Sequence, residues 1–190
     1  MTTVLALARG GRVVMAADTL TNVYERPIPD GARKIARLPI RRTTPYDGRP
    51  PELLIGTAGA GGLLATVRRL EPPLPPTDGD LQAWADEIAR AVTTAAVDAG
   101  LTDEGRMDGT LLLGWAGQLW TLTHYMAIPH ADGVAALGSG EGPAIGALDV
   151  LLEAYPTQAP GELLTRALRV AAARDRHTGG SVQLELLEAR

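Results

Sequence analysis

Two residues near the start of the chain have types that could do chemistry together. Of the 18 basic residues, all but Lys34 are arginines. Arginine is effectively never deprotonated in a protein, whereas lysine is a compact charge whose pKa moves with its surroundings, so a site needing an adjustable ammonium has one position to draw on. The plainer explanation is that a single lysine survives by chance in an arginine-biased chain. The second residue is Thr2, which follows Met1. Methionine before a small residue is the context in which the initiator is normally clipped, and clipping would leave an amine and a hydroxyl on one residue. An α-amine with a reference pKa of about 7.7–8.0 can act as general base for its own hydroxyl near neutral pH, and a nearby ammonium lowers that pKa further. Many chains begin Met-Thr and make no use of it. From residue types alone, both positions remain candidates.

Other chemistries find less support. Gly59-Ala60-Gly61-Gly62-Leu63-Leu64 has Leu64 where a dinucleotide loop wants a small residue, and the loop Gly138 to Pro143 fails at the same place with a proline. Because the only lysine follows Arg33, no Gly-x-x-x-x-Gly-Lys loop exists. His124, His130 and His177 lack paired metal spacing and read as structural or surface histidines. Ser139 has Leu137 two residues before it, which breaks the nucleophile-elbow pattern. The absence of cysteine excludes disulfides, thiol catalysis and cysteine-based zinc sites. No metal and no cofactor are expected. A formal net charge of −4 argues against a phosphate-backbone partner. No apolar run reaches the length of a membrane span, and the first residues lack a signal-peptide pattern, so a cytoplasmic protein without nucleic-acid or membrane partners is expected.

Something must hold these residues in place, and the hydrophobic pattern shows what. With 45% hydrophobic residues over 190, the chain is expected to form a single domain spanning 1–190. Thr3 to Ala8 and Val13 to Ala17 read as strands joined by a turn at 9–12, so Thr2 opens a strand. A loop holding Pro27, Pro29 and Gly31 leads to a short strand from Lys34 to Leu38, then a polar connection over 39–51, then a strand from Leu53 to Thr57. The glycine cluster at 56–62 enters a helix running to Leu70, ended by the proline-rich stretch Glu71 to Pro76. Thr77 and Asp80 form a capping box for a helix to about Ala99. Strands follow at Thr110 to Trp115, Gln118 to His124 and Gly133 to Leu137. Helices follow from Pro143 to Ala154 and from Pro160 to Ala173, and a last strand runs from Ser181 to Leu187. Strand runs and helix runs segregate, which argues for sheet layers covered by helix layers.

Several short motifs, in order over nearly the full length, belong together. They are Thr2-Thr3-Val4, Gly11 to Thr19 (GRVVMAADT), Arg33-Lys34-Ile35, Thr57-Ala58-Gly59, Gly138-Ser139-Gly140 and Arg174 to Gly180 (RDRHTGG). Thr2 and Asp18 are sixteen residues apart, as are Asp18 and Lys34. In these motifs and spacings the chain resembles the proteasome β-subunit and HslV family of N-terminal-nucleophile threonine peptidases, a divergent bacterial proteasome homologue included. The resemblance implies an α+β fold, a four-layer αββα sandwich with antiparallel-rich sheets between helix layers. It implies Thr2 as nucleophile and base, Lys34 as the group that tunes the amine, and Asp18 as the partner of Lys34. Gly59 would supply an oxyanion donor, and Ser139, Asp175 and Thr178 would form the hydrogen-bond network around the amine. The family usually has threonine where this chain has Asn22, and proteasome subunits often have arginine where it has Leu20. No propeptide is expected before Thr2, which is more like HslV, whereas insertions around 39–51 and 71–79 make the chain longer than a minimal HslV-like subunit, so the resemblance extends to the superfamily and not to one branch of it.

The same resemblance lines the pocket for the residue before the cleaved bond with Thr21, Ala32, Ala36, Thr57, Gly61 and Ala65, and gives Asn22 a hold on the substrate backbone. These walls are small and uncharged, which leaves room for a large apolar side chain. The implied partners are copies of the chain in a homo-oligomeric ring or double ring, peptide or unfolded-protein substrates, and an ATPase unfoldase or other activator. Two other functions use the same scaffold: a small-molecule amidohydrolase, which would carry a polar pocket, and a non-catalytic ring subunit, which would have lost Thr2, Asp18 or Lys34.

Overall fold

The computed structural model describes residues 2–24, 26–40, 51–77 and 79–188. The polar connection expected over 39–51 lies largely outside them. The chain opens on β1 (Thr3–Arg9) and β2 (Arg12–Asp18), joined by a two-residue turn with Gly10 at φ 60° and Gly11 at φ 76°. Both turn residues need the left-handed region, which glycine enters without penalty. Next come the short hairpin β3 (Thr21–Val23) and β4 (Arg26–Ile28), then β5 (Ile35–Pro39) and β6 (Glu52–Gly59). The helices α1 (Leu63–Val67) and α2 (Leu81–Asp98) follow. Then come β7 (Thr102–Asp103), β8 (Arg106–Met107), β9 (Gly109–Trp115), β10 (Gln118–Thr123), β11 (Met126–Pro129) and β12 (Val134–Gly138). The chain closes with α3 (Glu141–Ala154), α4 (Pro160–Arg174) and β13 (Val182–Leu187).

The fold is α+β, with two main antiparallel sheets. One has the order β12-β1-β2-β13 and the other β11-β10-β9-β6-β5. The period of two along a strand sends alternate residues to opposite faces. On β1 and β2, Val4, Ala6, Val13, Met15 and Ala17 join a core shared with the second sheet and α2. Their neighbours Leu5, Leu7, Val14 and Ala16 join another core with Leu148 of α3 and Leu163, Leu164 and Leu168 of α4. With both faces covered, these strands read as continuous apolar runs rather than alternating ones.

Several expectations change in detail. Helix α1 is a single turn and does not reach Leu70, because Leu70 N–H already turns back to Val67 O ahead of the prolines. The capping box at Thr77 is not formed; Asp80 is itself the N-cap of α2, its carboxylate accepting from Gln82 N–H at 2.8 Å. Helix α3 starts at Glu141, two residues before Pro143, with Gly140 as its N-cap. The stretch with Pro27 forms β4, where proline is tolerated because the hairpin is an isolated two-stranded sheet. Strand β11 is an addition to the expected elements, since four residues ending in proline give little periodicity.

The separation of the sheets depends on missing side chains. A Cβ on Gly114 would lie 2.6 Å from Val13 Cγ1 and 2.9 Å from Met15 Cε, and one on Gly56 would lie 2.6 Å from Val4 Cγ1. Valine at position 114 must therefore push the sheets apart or force off-rotamer side chains, at a cost of about 1–3 kcal/mol. Gly114→Val should lower the urea midpoint accordingly, and an unchanged midpoint would show that the sheets are free to separate.

Candidate active site

Strand register brings five distant stretches of chain to one end of the sheets. Thr3 pairs with Gly138, Val182 with Asp18, and Ile35 with Gly56. Thr2, Asp18, Lys34 and the 138–140 and 175–180 loops therefore converge. Thr2 O accepts a hydrogen bond from Ser139 N–H at 3.0 Å. Gly138 makes that approach possible: at φ 98°, a Cβ there would lie 1.7 Å from Thr2 O.

Lys34 and Asp18 form a buried ion pair with Nζ to Oδ1 at 2.8 Å, and the residues are only 6% and 3% exposed. Asp18 is fully committed. Its Oδ1 also accepts from Thr3 N–H at 2.7 Å, and its Oδ2 accepts from Leu20 N–H at 3.2 Å and Gly179 N–H at 3.1 Å. The backbone of Lys34 is clamped as well. Gln183 Oε1 accepts from Lys34 N–H at 2.9 Å and Ile35 N–H at 3.1 Å, while Thr57 N–H donates to Lys34 O at 2.9 Å. Burial pushes the Lys34 ammonium below its ordinary pKa of 10.5; the bond and charge of Asp18, and the charge of Asp175, oppose this without cancelling it. Removing one partner of such a pair strands a buried charge, at a cost of about 3–5 kcal/mol.

A second network centres on Asp175. Its Oδ2 accepts from Ser139 Oγ at 2.6 Å and from Thr178 Oγ1 at 2.7 Å, and its Oδ1 from His177 N–H at 3.1 Å. Because the Thr178 proton goes to Asp175, the 2.5 Å contact between Thr3 Oγ1 and Thr178 Oγ1 has Thr3 donating, and Thr3 Oγ1 accepts in turn from Gly140 N–H at 3.1 Å. Burial alone would raise the Asp175 pKa, but the bonds from Ser139, Thr178 and His177 outweigh it and hold the carboxyl below its ordinary 3.8. A third cluster latches the β3–β4 hairpin: Asp30 Oδ1 accepts from Thr19 Oγ1 and Ser181 N–H, both at 2.6 Å. Hydrogen bonds from Ser181 and Thr19 lower the Asp30 pKa to about 2.

A cavity of about 390 Å³ opens at Thr2, and Gly59 and Ser139 also line it. Gly59 sits at φ 131°, where a Cβ would meet Asp108 O at 2.5 Å, so only glycine fits. Asp108 and Thr110, which the sequence did not single out, line the same cavity. Asp175 and Thr178 stand behind Ser139 rather than on its wall. None of Thr21, Asn22, Ala32, Ala36, Thr57, Gly61 and Ala65 lines it. Ala36 and Thr57 are buried, Thr21, Asn22 and Ala32 half-buried, and Gly61 and Ala65 exposed. Thr3 and Gln183 were also missed. Their signal is polarity inside an otherwise apolar strand, which any surface-facing residue would share.

No family model matches the chain. A protein of Pseudothermotoga lettingae named ATP-dependent protease subunit HslV is 29% identical over 97% of this chain and 96% of its own length. The crystal structure of HslV from Trypanosoma brucei superposes with a TM-score of 0.64 at 25% identity, covering 98% of this chain and 99% of that one. The Thiobacillus denitrificans protein BPH, solved in complex with epoxomicin, superposes with a TM-score of 0.74 over the full length of both chains, at 19% identity. In sequence and in fold the chain is similar to HslV over nearly its full length.

The charge on Asp175 predicts a pH signature. A carboxyl whose folded pKa is depressed contributes stability that is complete above its unfolded pKa, near 3.8, and is lost as pH falls through the lower folded value. The difference in melting temperature between the wild type and Asp175→Asn should be full at pH 6 and shrink progressively below pH about 4. A gap independent of pH would mean that the ionised carboxylate is not what these hydroxyls hold.

Proposed function

We propose that the chain hydrolyses peptide bonds as a threonine peptidase, with Thr2 as nucleophile once Met1 has been removed. The observation that carries this reading is the buried Lys34–Asp18 pair beside a threonine that lines an open cavity. The freed α-amine takes the Thr2 hydroxyl proton as Oγ1 attacks the scissile carbonyl. The N–H of Gly59 holds the developing oxyanion, a contact whose loss typically costs about 10²–10³ in rate. The protonated amine passes its proton to the departing amine, and water then hydrolyses the ester by the reverse roles. Lys34 keeps the α-amine neutral by its positive charge, Asp18 fixes Lys34, and Ser139, Asp175 and Thr178 order the loop behind the amine.

The packing of helices on the outer face of each sheet supports a four-layer αββα sandwich as the frame for this site. The names of the relatives speak of an ATP-dependent subunit, which supports assembly into a ring or double ring served by an ATPase unfoldase in the cytoplasm. Retention of Thr2, Asp18 and Lys34 together argues against a non-catalytic subunit. The small residues implied at the acylating pocket argue against a dedicated small-molecule amidohydrolase.

Thr2→Ala should abolish peptide hydrolysis, whereas Thr2→Ser should keep a substantial part, because serine supplies the same amine and hydroxyl. Lys34→Arg should be severely impaired although its charge is preserved, since the planar guanidinium does not fit the space closed around Asp18. Peptidase assays on the purified variants check both, and full activity in Thr2→Ala would remove the mechanism.

The residues that the resemblance assigns to the pocket, Thr21, Ala32, Ala36, Thr57, Gly61 and Ala65, carry no charge to pair with an ionic side chain. Burying an apolar one contributes about 1.5–3 kcal/mol. Fluorogenic peptides ending in Leu, Phe or Tyr should therefore be cleaved faster than those ending in Arg or Asp, and a clear preference for the charged peptides would show that other residues form the pocket.

A further inference from the structure

The cavity at Thr2 contains a feature that the hydrolytic steps leave unused. Among the described residues that line it, Asp108 is the one with an ionisable side chain. Its backbone is anchored on both sides: Asp108 N–H donates to Leu101 O at 3.0 Å, and Asp108 O accepts from Ala60 N–H at 2.9 Å. The next residue, Gly109, at φ 144°, packs so closely that a Cβ would lie 2.5 Å from Ala58 O. The position is therefore fixed. The residue is nevertheless exposed, and among the described residues its carboxylate makes no hydrogen bond and no ion pair. A carboxylate carried on a fixed backbone at the rim of a cavity, with no ion-pair partner among the described residues, is complementary to a cation that arrives with a ligand.

Strand order says which part of a substrate would meet it. Strand β6 lies between β5 and β9, and Gly59 ends β6. Ala36, expected to contact the side chain before the cleaved bond, lies on β5, whereas Asp108 immediately precedes β9 and Thr110 is its second residue. A peptide whose carbonyl sits at Gly59 thus has its acyl half toward β5 and its departing half toward β9.

We propose that Asp108 is a specificity-determining residue that selects a lysine or arginine as the first residue after the cleaved bond. The inference rests on the peptidase reading above. It assigns the two halves of the substrate different chemistry: a neutral pocket before the bond and an anionic rim after it. Acidic residues after the bond meet a like charge and are disfavoured. Because the rim is open to water, the selection is moderate and screened by salt.

The test uses internally quenched peptides with one sequence and a single varied residue after the bond: Lys, Arg, Leu or Glu. In the wild type at low salt, kcat/KM for Lys or Arg should exceed that for Glu by about three- to tenfold, with Leu between, and the ratio should contract at about 0.5 M salt. Ratios are taken within one enzyme, so a variant's overall rate cancels. Asp108→Asn should bring the Lys to Glu ratio close to one, and Asp108→Arg should invert it. A flat ratio in the wild type, or a ratio that persists in Asp108→Asn, overturns the inference while leaving the peptidase reading intact. Failure of the wild type to cleave any of the four overturns both.

Discussion

The buried pair between Lys34 and Asp18 is the constraint around which the rest of the molecule is arranged. Two opposite charges withdrawn from water are tolerable only when geometry and further hydrogen bonds compensate for the lost hydration. Asp18 meets that demand with three backbone N–H groups, from Thr3, Leu20 and Gly179. Each comes from a different part of the chain. Satisfying one carboxylate therefore fixes the start of β1, the exit from β2 and the entry to β13 at once. The ammonium is left desolvated, with a depressed pKa, close to the residue whose amine it would influence.

Glycines make this convergence sterically possible. Gly138 lets the end of β12 touch the carbonyl of Thr2, Gly59 lets the end of β6 lie against Asp108, and Gly56 and Gly114 let the two sheets approach across Val4, Val13 and Met15. A side chain at any of these positions would separate elements that the site needs in contact. The Asp30 latch does similar work for the β3–β4 hairpin, tying it through Thr19 and Ser181 to the loop before β13. The site is thus assembled at strand ends, whose positions are set by register, with the 138–140 and 175–180 loops tied against them.

Much of this was legible in the sequence, and the exceptions have physical reasons. The two long hairpin strands, the Arg9–Arg12 turn, α2 and α4 followed from periodicity, because each buries a full face or carries a definite turn signal. Lys34 stood out as the only lysine and Thr2 as the small residue after Met1, whereas Asp18 was marked by the resemblance to the proteasome β-subunit and HslV family. Strand β13 shows the limit. Alternation over 182–187 would put the leucines inside and Gln183 outside, yet Gln183 is buried and Leu184 and Leu186 are 48% and 39% exposed. The glutamine faces inward because its amide carries the backbone of Lys34 and Ile35, a demand set by a segment about 150 residues away. Asp108 escaped for a similar reason: it is an ordinary polar loop residue until the β6–β9 pairing brings it beside Gly59.

Sealing the only lysine beside Asp18 gives the exterior an unusual chemical character. Every cation on the outside of this chain, apart from its α-amine and any protonated histidine, is a guanidinium. Acylating reagents, amine-directed crosslinkers and enzymes that attach tags through a lysine side chain find no acceptor on the folded surface. The amine left to them is the α-amine, which in the proposed mechanism belongs to Thr2 on the wall of the cavity. In a molecule whose proposed chemistry begins with that same amine, such reagents become selective reporters of the reactive end, and the folded protein is shielded from marking at any other point on the chain.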